Sequence, residues 1–335
     1  MVNHSYVNSP AFLSGTLHLM ACFEIPMHLI GAYCIIFKTP RTMRSVKWTM
    51  FNLHFWSVFL DLTISLFTTP YVLFPALIGR SLGIFEYVGV PVELQLYLIV
   101  TLFPAVGVSI TAILENRFYL LFSWESSWKY FRIPFLTFLY LSSFLCFLPS
   151  YLSIPEQKQA MEEVLKIIPE IQEYILSDGK MFVLSTDFHE FFWTLVIMIG
   201  LVTGTSVTFA RILYRNMKER SRLLNMSPQM VQVQKIFFRA ICIQTSMPIL
   251  ILILPISYLA ISMFSGYFNQ AANNLCFIIT AFHGLLSTAI MITVHKPYRD
   301  FIYIVFFQKI HRLLLHTESK IAYSMSMISR TSSGL

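Results

Sequence analysis

Residues 91–121 are PVELQLYLIVTLFPAVGVSITAILENRFYLL, with no charged side chain between Glu93 and Glu115. About 20 consecutive apolar residues are enough for a helix to cross the hydrocarbon core of a bilayer. The stretch therefore predicts a membrane-spanning helix. Its end is marked by Glu115, Asn116 and Arg117, where a charge costs less because the chain reaches the membrane surface.

The composition of the 335-residue chain agrees with a membrane protein. Hydrophobic residues make up 56% of it and charged residues only 12%, whereas soluble domains average about 25% charged residues. No Lys/Arg-rich module for nucleic acid is visible, so we expect no nucleic-acid partner. The first residues lack the basic region and cleavage site of a secretory signal, and we expect the first span to direct insertion itself.

Apolar stretches separated by charged residues, prolines and glycines predict an all-α bundle of seven membrane-spanning helices. A shorter amphipathic helix is predicted along the inner leaflet over about 298–315, so that residues 1–315 form one membrane domain. Residues 316–335 are predicted to be a disordered cytoplasmic tail. The predicted spans are about 12–37, 49–78, 91–121, 133–154, 190–213, 236–265 and 271–294.

Lys and Arg alternate in abundance between successive connections, with 20 on one side of the membrane and four on the other. Positive charge stays cytoplasmic during insertion, so this asymmetry predicts that the N-terminus is outside and the C-terminus inside. Acidic residues are biased towards the outer side, which carries ten of the 17. Asn3 lies in an Asn-His-Ser sequon on that side and is a candidate glycosylation site.

The outer connection 155–190 contains apolar residues near helical spacing with charges between them. It predicts short amphipathic helices, interrupted at Pro169, that lie over the outer mouth of the bundle. Two interpretations remain open at this point. The helices could form a lid over a ligand pocket, or they could rest on the lipid headgroups.

Motifs of catalysis and cofactor binding are missing from the sequence. It has no nucleophile turn of the G-x-S-x-G type, no phosphate-binding loop and no zinc-protease pattern. We therefore expect no enzyme activity, no cofactor and no metal site. All five cysteines fall inside predicted spans without a C-x-x-C pair, which favours buried thiols over disulfides: Cys22, Cys34, Cys146, Cys242 and Cys276.

Two acids, Glu24 and Asp61, lie well inside predicted spans. A charged group at the membrane centre costs about 2.5–3.5 kcal/mol, so each invites a functional hypothesis. Asp61 is a candidate polar switch within the membrane, and a static polar tie between helices is the alternative. We expect both acids to be isolated from basic partners, which would argue against an ion-coupled transporter.

Five sequence motifs resemble those of the nematode seven-transmembrane chemoreceptors, most closely serpentine receptor class H. They occur in order along most of the chain. Neighbouring nematode classes share the KTP and HKPYR motifs, so the class rests on the longer matches in the first loop and second span. The motifs are PMHLIGAYCIIFKTPRTMRSVKW at 26–48, NLHFWSVFLDLTIS at 52–65, ENRFYLLF at 115–122, YLSIPEQ at 151–157 and HKPYRDF at 295–301.

This resemblance implies a G-protein-coupled receptor that detects a small odorant or soluble chemical cue from outside. It implies a heterotrimeric G protein as the partner and the plasma membrane of chemosensory neurons, in the sensory cilium, as the location. Membrane lipid surrounds such a protein, and pairing with a second receptor stays open. Pocket residues predicted from depth alone are Tyr97, Thr101, Tyr258 and His283.

By position, Glu115, Asn116 and Arg117 stand where rhodopsin-like receptors keep the acid and arginine that control coupling. Here the acid and arginine are two residues apart, about 200° around a helix, so we expect each to meet another helix or water. Pro297 and Tyr298 match a second coupling motif, except that the tyrosine follows the proline directly. The inner basic residues predicted to contact the G protein are Arg215, Lys218, Arg220 and Arg222.

Two rival functions remain to be tested. A seven-span ligand-gated cation channel of the insect type would have its N-terminus inside, which the charge asymmetry opposes. A small-solute carrier or a purely structural bundle is the second rival, and seven spans do not divide into two obvious halves as inverted repeats would.

Overall fold

The computed structural model describes residues 5–123, 126–178, 181–223 and 228–308. Seven helices in this part of the chain are long and apolar enough to cross a membrane, by length and composition. The helices are α1 Pro10–Lys38, α2 Arg44–Leu62, α3 Ile84–Tyr87, α4 Val92–Phe118, α5 Trp128–Leu145, α6 Leu148–Leu152, α7 Gln157–Ile167, α8 Gln172–Asp178, α9 Phe188–Leu223, α10 Pro228–Ser265, α11 Gln270–Val294 and α12 Lys296–Ile302.

Short turns extend several helices. Three 3₁₀ turns are Tyr6–Asn8, Arg41–Met43 and Pro169–Ile171. Three π turns are Thr63–Phe67 after α2, Tyr119–Ser123 after α4 and Tyr303–Gln308 after α12. With these turns, the second membrane-spanning segment comprises α2 and runs over Arg44–Phe67. The third comprises α4 and runs over Val92–Ser123.

A three-stranded antiparallel sheet caps one end of the bundle. Its strands are β1 Pro70–Val72, β2 Leu77–Ser81 and β3 Phe182–Ser185, in that order. Gly79 sits opposite Val72, where a Cβ atom would lie 3.1 Å from the Val72 Cα atom, so only glycine fits without a shift. We call this end, which also carries Tyr6–Asn8, the sheet end, and the opposite end, where Lys38, Arg44 and Arg132 lie, the basic end.

The predicted second span, 49–78, is wrong at its outer end. Thr69 has a φ of 46°, and the backbone N–H groups of Leu82 and Gly83 both donate to the Thr68 carbonyl, which closes a turn and ends the helix. The chain then forms the β1–β2 hairpin, with Tyr71, Leu73 and Ile78 almost fully buried. The hairpin is apolar because it packs inside protein, and hydropathy does not separate that from burial in lipid.

The other six predicted spans agree with the long helices, and most ends shift by a few residues. The larger differences are at α9, which continues ten residues beyond its predicted end, and at α10, which begins eight residues earlier. The third membrane-spanning helix, α4, is central. In its most apolar window 67% of the residues are buried, compared with 17% in the fourth membrane-spanning helix, which begins with α5. Helix α4 packs against α2, α5 and α9, while α11 packs against α1, α2 and α10. The remaining apolar faces, such as Leu19, Phe23 and Leu29 on α1, point outwards and suit lipid.

The connection between α5 and α9 covers the sheet end. As predicted, it forms short helices interrupted at Pro169, namely α7 and α8. The sequence did not predict β3, which Gln157 holds by accepting from the Val183 N–H at 2.8 Å and donating to the Val183 carbonyl at 3.1 Å. Val164 and Ile171 are buried in the main core together with Leu13 of α1, so these helices pack on protein.

The stretch predicted to form a helix along the inner leaflet is helical over its first part. Helix α12 and the π turn Tyr303–Gln308 account for its first half. The stretch 309–315 and the predicted tail 316–335 lie outside the described residues, as does Asn3.

Candidate functional sites

A buried carboxylate, Asp61, sits between three helices near the middle of the bundle. Its Oδ1 atom lies 2.8 Å from Nδ1 of His283 on α11, and its Oδ2 atom lies 3.2 Å from Nε2 of His28 on α1. The side chains of Asp61 and His283 are completely buried, and that of His28 is nearly so. The prediction that Asp61 lacks a basic partner is therefore wrong, because each carboxylate oxygen faces an imidazole.

Further hydrogen bonds fix His28 and Asp61. Nδ1 of His28 shares a hydrogen bond of 3.1 Å with the Thr288 hydroxyl of α11, and His54 on α2 donates to the His28 carbonyl at 3.0 Å. The Gly284 N–H donates to Asp61 Oδ1 at 3.3 Å. These bonds cross α1, α2 and α11, so the three helices are tied at one depth.

Glu24 belongs to the same polar region. Its Oε2 atom accepts a hydrogen bond of 2.7 Å from the Ser65 hydroxyl, and the side chain is fully buried. It lies close enough to Asp61 and His283 to interact electrostatically with both. Glu24 is therefore not isolated either. A pair of acids in one buried region repel each other unless a proton or a cation offsets their charge, and the histidines supply the groups that can do so.

Two glycines make room for this cluster. A Cβ atom at Gly284 would overlap the Asp61 carboxylate, and one at Gly31 of α1 would lie 2.7 Å from Thr288 and 2.8 Å from His54. Both glycines are therefore required by close approach of neighbouring helices. We call His28, Asp61, His283 and Glu24 the central polar cluster.

A second polar site lies at the basic end and is built around Glu115. Its carboxylate accepts from Arg132 Nη2 at 3.0 Å and from the Trp128 indole N–H at 2.8 Å, both on α5. The same Arg132 Nη2 also donates to Asn116 Oδ1 at 3.1 Å, and its guanidinium lies 3.9 Å from the Tyr119 ring centroid. Glu115 thus meets another helix, as the two-residue offset from Arg117 predicts.

Arg117 lies within electrostatic range of His295, which follows α11. Burial, and then the positive charge of Arg117, lower the pKa of His295 to about 4. His295 is therefore neutral at physiological pH and donates from Nε2 to Gln244 Oε1 of α10 at 3.0 Å. The hydrogen bond ties the end of α11 to α10 at the basic end.

Tyr298, predicted to take part in coupling, is completely buried beside α1. Its hydroxyl lies 2.7 Å from the Thr39 hydroxyl, which itself donates to the Ile35 carbonyl, so Tyr298 is the donor of that bond. Pro297 occupies the first turn of α12, where a proline N–H would have no helical partner in any case. Tyr298 therefore anchors α12 against α1 in this structure.

The predicted G-protein contacts lie near the end of α9. Arg215 and Lys218 are exposed there. Arg220 and Arg222 are on the same helix, but their side chains lie outside the described part of the structure.

The four predicted pocket residues do not share one cavity. The Tyr97 hydroxyl donates to the Phe144 carbonyl, and the Thr101 hydroxyl bonds within its own helix to the Leu98 carbonyl. Tyr258 donates to the Asn269 carbonyl at 3.4 Å. His283 is engaged by Asp61 and belongs to the central polar cluster. The structure gives each of the four residues its own hydrogen-bond partner, and their part in ligand binding stays a prediction.

The β1–β2 hairpin is packed into the main core at the sheet end through Tyr71, Leu73 and Ile78. Two depressions lie nearer the surface of the sheet end. One, a narrow crevice between α4, α6 and α9, is lined by Tyr97 with Glu93 and Tyr151. The other is a groove of about 660 Å³ between α8 and the turn that joins α10 to α11.

Within the described residues, no three His, Cys, Asp or Glu side chains form a group that could hold a metal ion. All five cysteines are free thiols in the structure. Sequence reasoning missed His28, His54, Arg132, Gln244 and His295 as members of these sites. The only signal for His28 was its position four residues after Glu24, on the same face of a helix.

The fold and the buried polar sites define a seven-transmembrane bundle of the rhodopsin kind. The crystal structure of squid rhodopsin matches it with a TM-score of 0.52 and 10% sequence identity, over 89% of this chain and 85% of that chain. The family model described as "Serpentine type 7TM GPCR chemoreceptor Srh" matches residues 8–308. "Serpentine receptor class H-72" of Caenorhabditis elegans is 28% identical over 322 residues, which cover 89% of this chain and 88% of that protein.

The chain therefore belongs to the Srh family of serpentine chemoreceptors. It is a multi-pass membrane protein and a chemosensory G-protein-coupled receptor. The resemblance stated from the sequence motifs is confirmed.

Replacing Gly284 by alanine is expected to lower the thermal stability of the receptor, because the added methyl group must displace the Asp61 carboxylate. Overpacking of this kind costs about 1–3 kcal/mol. The measurement is the melting temperature of the full-length receptor in detergent, followed by fluorescence-detected size exclusion. Gly200→Ala on α9 is the matched control, since nothing lies within 4 Å of its Cβ position. Equal melting temperatures for the two variants would contradict the close approach.

Replacing Arg132 by methionine is expected to destabilise the basic end, because the fully buried Glu115 carboxylate would lose its cationic partner. The Arg132 side chain itself is 20% exposed. Removing one partner of a buried pair costs on the order of 3 kcal/mol. Adding Glu115→Gln to this variant should restore part of the lost stability, in the same melting assay. The exposed Lys129 on α5 provides the control Lys129→Met. No recovery in the double variant would show that the pair is not the stabilising interaction.

Proposed function

We propose that this receptor binds a small odorant or soluble chemical cue at the sheet end, outside the cell, and activates a heterotrimeric G protein at the basic end. The observation that carries the proposal is the hydrogen bond between His295 of α11 and Gln244 of α10, with Arg117 of α4 within electrostatic range of His295. We further propose the plasma membrane of chemosensory neurons, in the sensory cilium, as the location.

The proposed orientation is supported by charge. The connections at the basic end carry most of the Lys and Arg residues, and cytoplasmic loops of membrane proteins show this excess. In this orientation Asn3 is outside and available for glycosylation. The exposed Arg215 and Lys218 then face the cytoplasm at the end of α9, where they would contact the G protein.

The central polar cluster is proposed as the switch within the membrane. It ties α11 to α1 and α2, and α11 also reaches the basic end through His295. A ligand that binds one arrangement of α11 better than the other shifts the population towards it. A shift of α11 would alter the bond between His295 and Gln244, and with it the environment of Arg117.

The sequence argument against an ion-coupled carrier was that the buried acids lack basic partners. That argument fails, because His28 and His283 face Asp61. Family membership now supports the receptor instead. The seven-span channel differs from the receptor in its orientation, which is open to direct measurement.

An epitope placed at the N-terminus is expected to bind antibody on intact cells, and an epitope at the C-terminus only after permeabilisation. The reason is the excess of Lys and Arg at the basic end, which holds that end in the cytoplasm. Immunofluorescence with and without detergent measures this. A C-terminal epitope that is reachable on intact cells would overturn the orientation and favour the channel topology.

Arg117→Ala is expected to abolish the ligand-evoked response, because it removes the charge within electrostatic range of His295 at the end of α11. The measurement is calcium imaging of cells that express the receptor, first screened against volatile and soluble small molecules to find an active compound. Surface labelling shows whether the variant reaches the membrane. Arg211→Ala, an exposed arginine on α9, is the control and should respond normally. A normal response from Arg117→Ala would remove its proposed role.

A further inference from the structure

A groove at the sheet end combines acidic and aromatic side chains. It has a volume of about 660 Å³, within the range of roughly 300–1,000 Å³ typical of small-molecule sites. Glu170 and Glu173 lie along one wall, while Tyr174 and Phe268 form an aromatic pair with ring centroids 5.3 Å apart. None of the nine residues that line the groove is a Lys, Arg or His.

The walls of the groove are held by the bundle. Tyr174 is buried in the main core, and its hydroxyl accepts from the Asn8 amide at 3.4 Å. On the other wall, Asn269 caps α11 by accepting from the Ala272 N–H at 3.1 Å. Gln270, only 2% exposed, donates to Asn274 at 2.9 Å and closes the floor. The groove is therefore a shaped site whose walls belong to packed elements.

The charges around the groove favour a cation. Its two glutamates are exposed at the rim, and the other acids of the sheet end, including Glu162 and Glu163 on α7, outnumber the basic residues there. Clefts lined by charge of one sign raise the local concentration of ions of the opposite sign. An aromatic ring beneath a carboxylate adds attraction for an ammonium group. An anionic ligand would meet repulsion at this rim.

We propose that the groove binds an organic cation of small-molecule size, with its ammonium group between the Glu170–Glu173 wall and the aromatic rings of Tyr174 and Phe268. The amide of Asn8, which is only partly buried, suits a hydroxyl or carbonyl group on the rest of the ligand. This inference rests on the proposed function, because it names the class of chemical cue that the sheet end takes. Tyr258 is one hydrogen bond away from the groove, through the Asn269 carbonyl, so an occupant there would be sensed by α10.

The test measures binding to the purified full-length receptor in lipid nanodiscs, with no G protein present. The probes are choline and 3,3-dimethyl-1-butanol, which has the same shape without the charge, compared at constant ionic strength by titration calorimetry. Choline is expected to bind at least about tenfold more tightly than the alcohol, as a desolvated cation–π contact together with carboxylates provides. Glu170→Gln together with Glu173→Gln should remove this preference.

The matched control is Glu162→Gln together with Glu163→Gln, which removes the same charge from the neighbouring helix α7 outside the groove lining. Its choline affinity is expected to stay close to that of the unchanged receptor. Equal binding of the two probes, no binding of choline, or an equal loss in both double variants would overturn the proposal. The binding assay contains no G protein, so it tests the groove separately from signalling. Choline binding in nanodiscs, without a response in cells that express the receptor, would support this site and contradict the proposed signalling.

Discussion

The structure depends on how one carboxylate is kept in the middle of a membrane bundle. Asp61 is completely buried, and an uncompensated charge there would cost several kcal/mol. His283 and His28 face its two oxygens from different helices, and the Gly284 N–H adds a further donor. The carboxylate therefore ties α1, α2 and α11 together at one depth, and it explains why position 284 holds glycine.

Helix α11 connects this cluster to both ends of the bundle. At the sheet end Asn273 donates to the Phe74 carbonyl of the hairpin at 3.0 Å, and Asn274 donates to the Val7 carbonyl at 2.8 Å. In the middle His283 meets Asp61, and at the basic end His295 meets Gln244. One helix thus touches the segment that frames the proposed ligand groove, the buried acid and the neighbourhood of Arg117. A change at any of these contacts therefore acts on the same helix, α11.

The sequence was sufficient for features that depend on local pattern. Long apolar stretches located six of the seven helices, and alternating charge and hydrophobicity located α7 and α8 with the break at Pro169. It failed where the answer depends on which helices become neighbours. The apolar hairpin at 70–81 resembles a span because hydropathy is the same in lipid and in protein. The partners of Asp61 lie 33 and 222 residues away in the sequence, so no spacing rule joins them. The predicted depth in the membrane could not distinguish a histidine that pairs with Asp61, such as His283, from one that lines a ligand pocket.

The two-residue separation of Glu115 and Arg117 gives the end of α4 two distinct faces. Glu115 is turned towards α5, where Arg132 and the Trp128 indole satisfy both of its oxygens. An acid directly beside the arginine would lie only about 100° away on the helix and could compete for it. With Asn116 between them, and itself donating to the Ser45 carbonyl at 3.0 Å, the acid serves a fixed contact between α4 and α5. Arg117 is left on a different face of α4, within electrostatic range of His295 at the end of α11, where a change in the position of α11 would alter its surroundings.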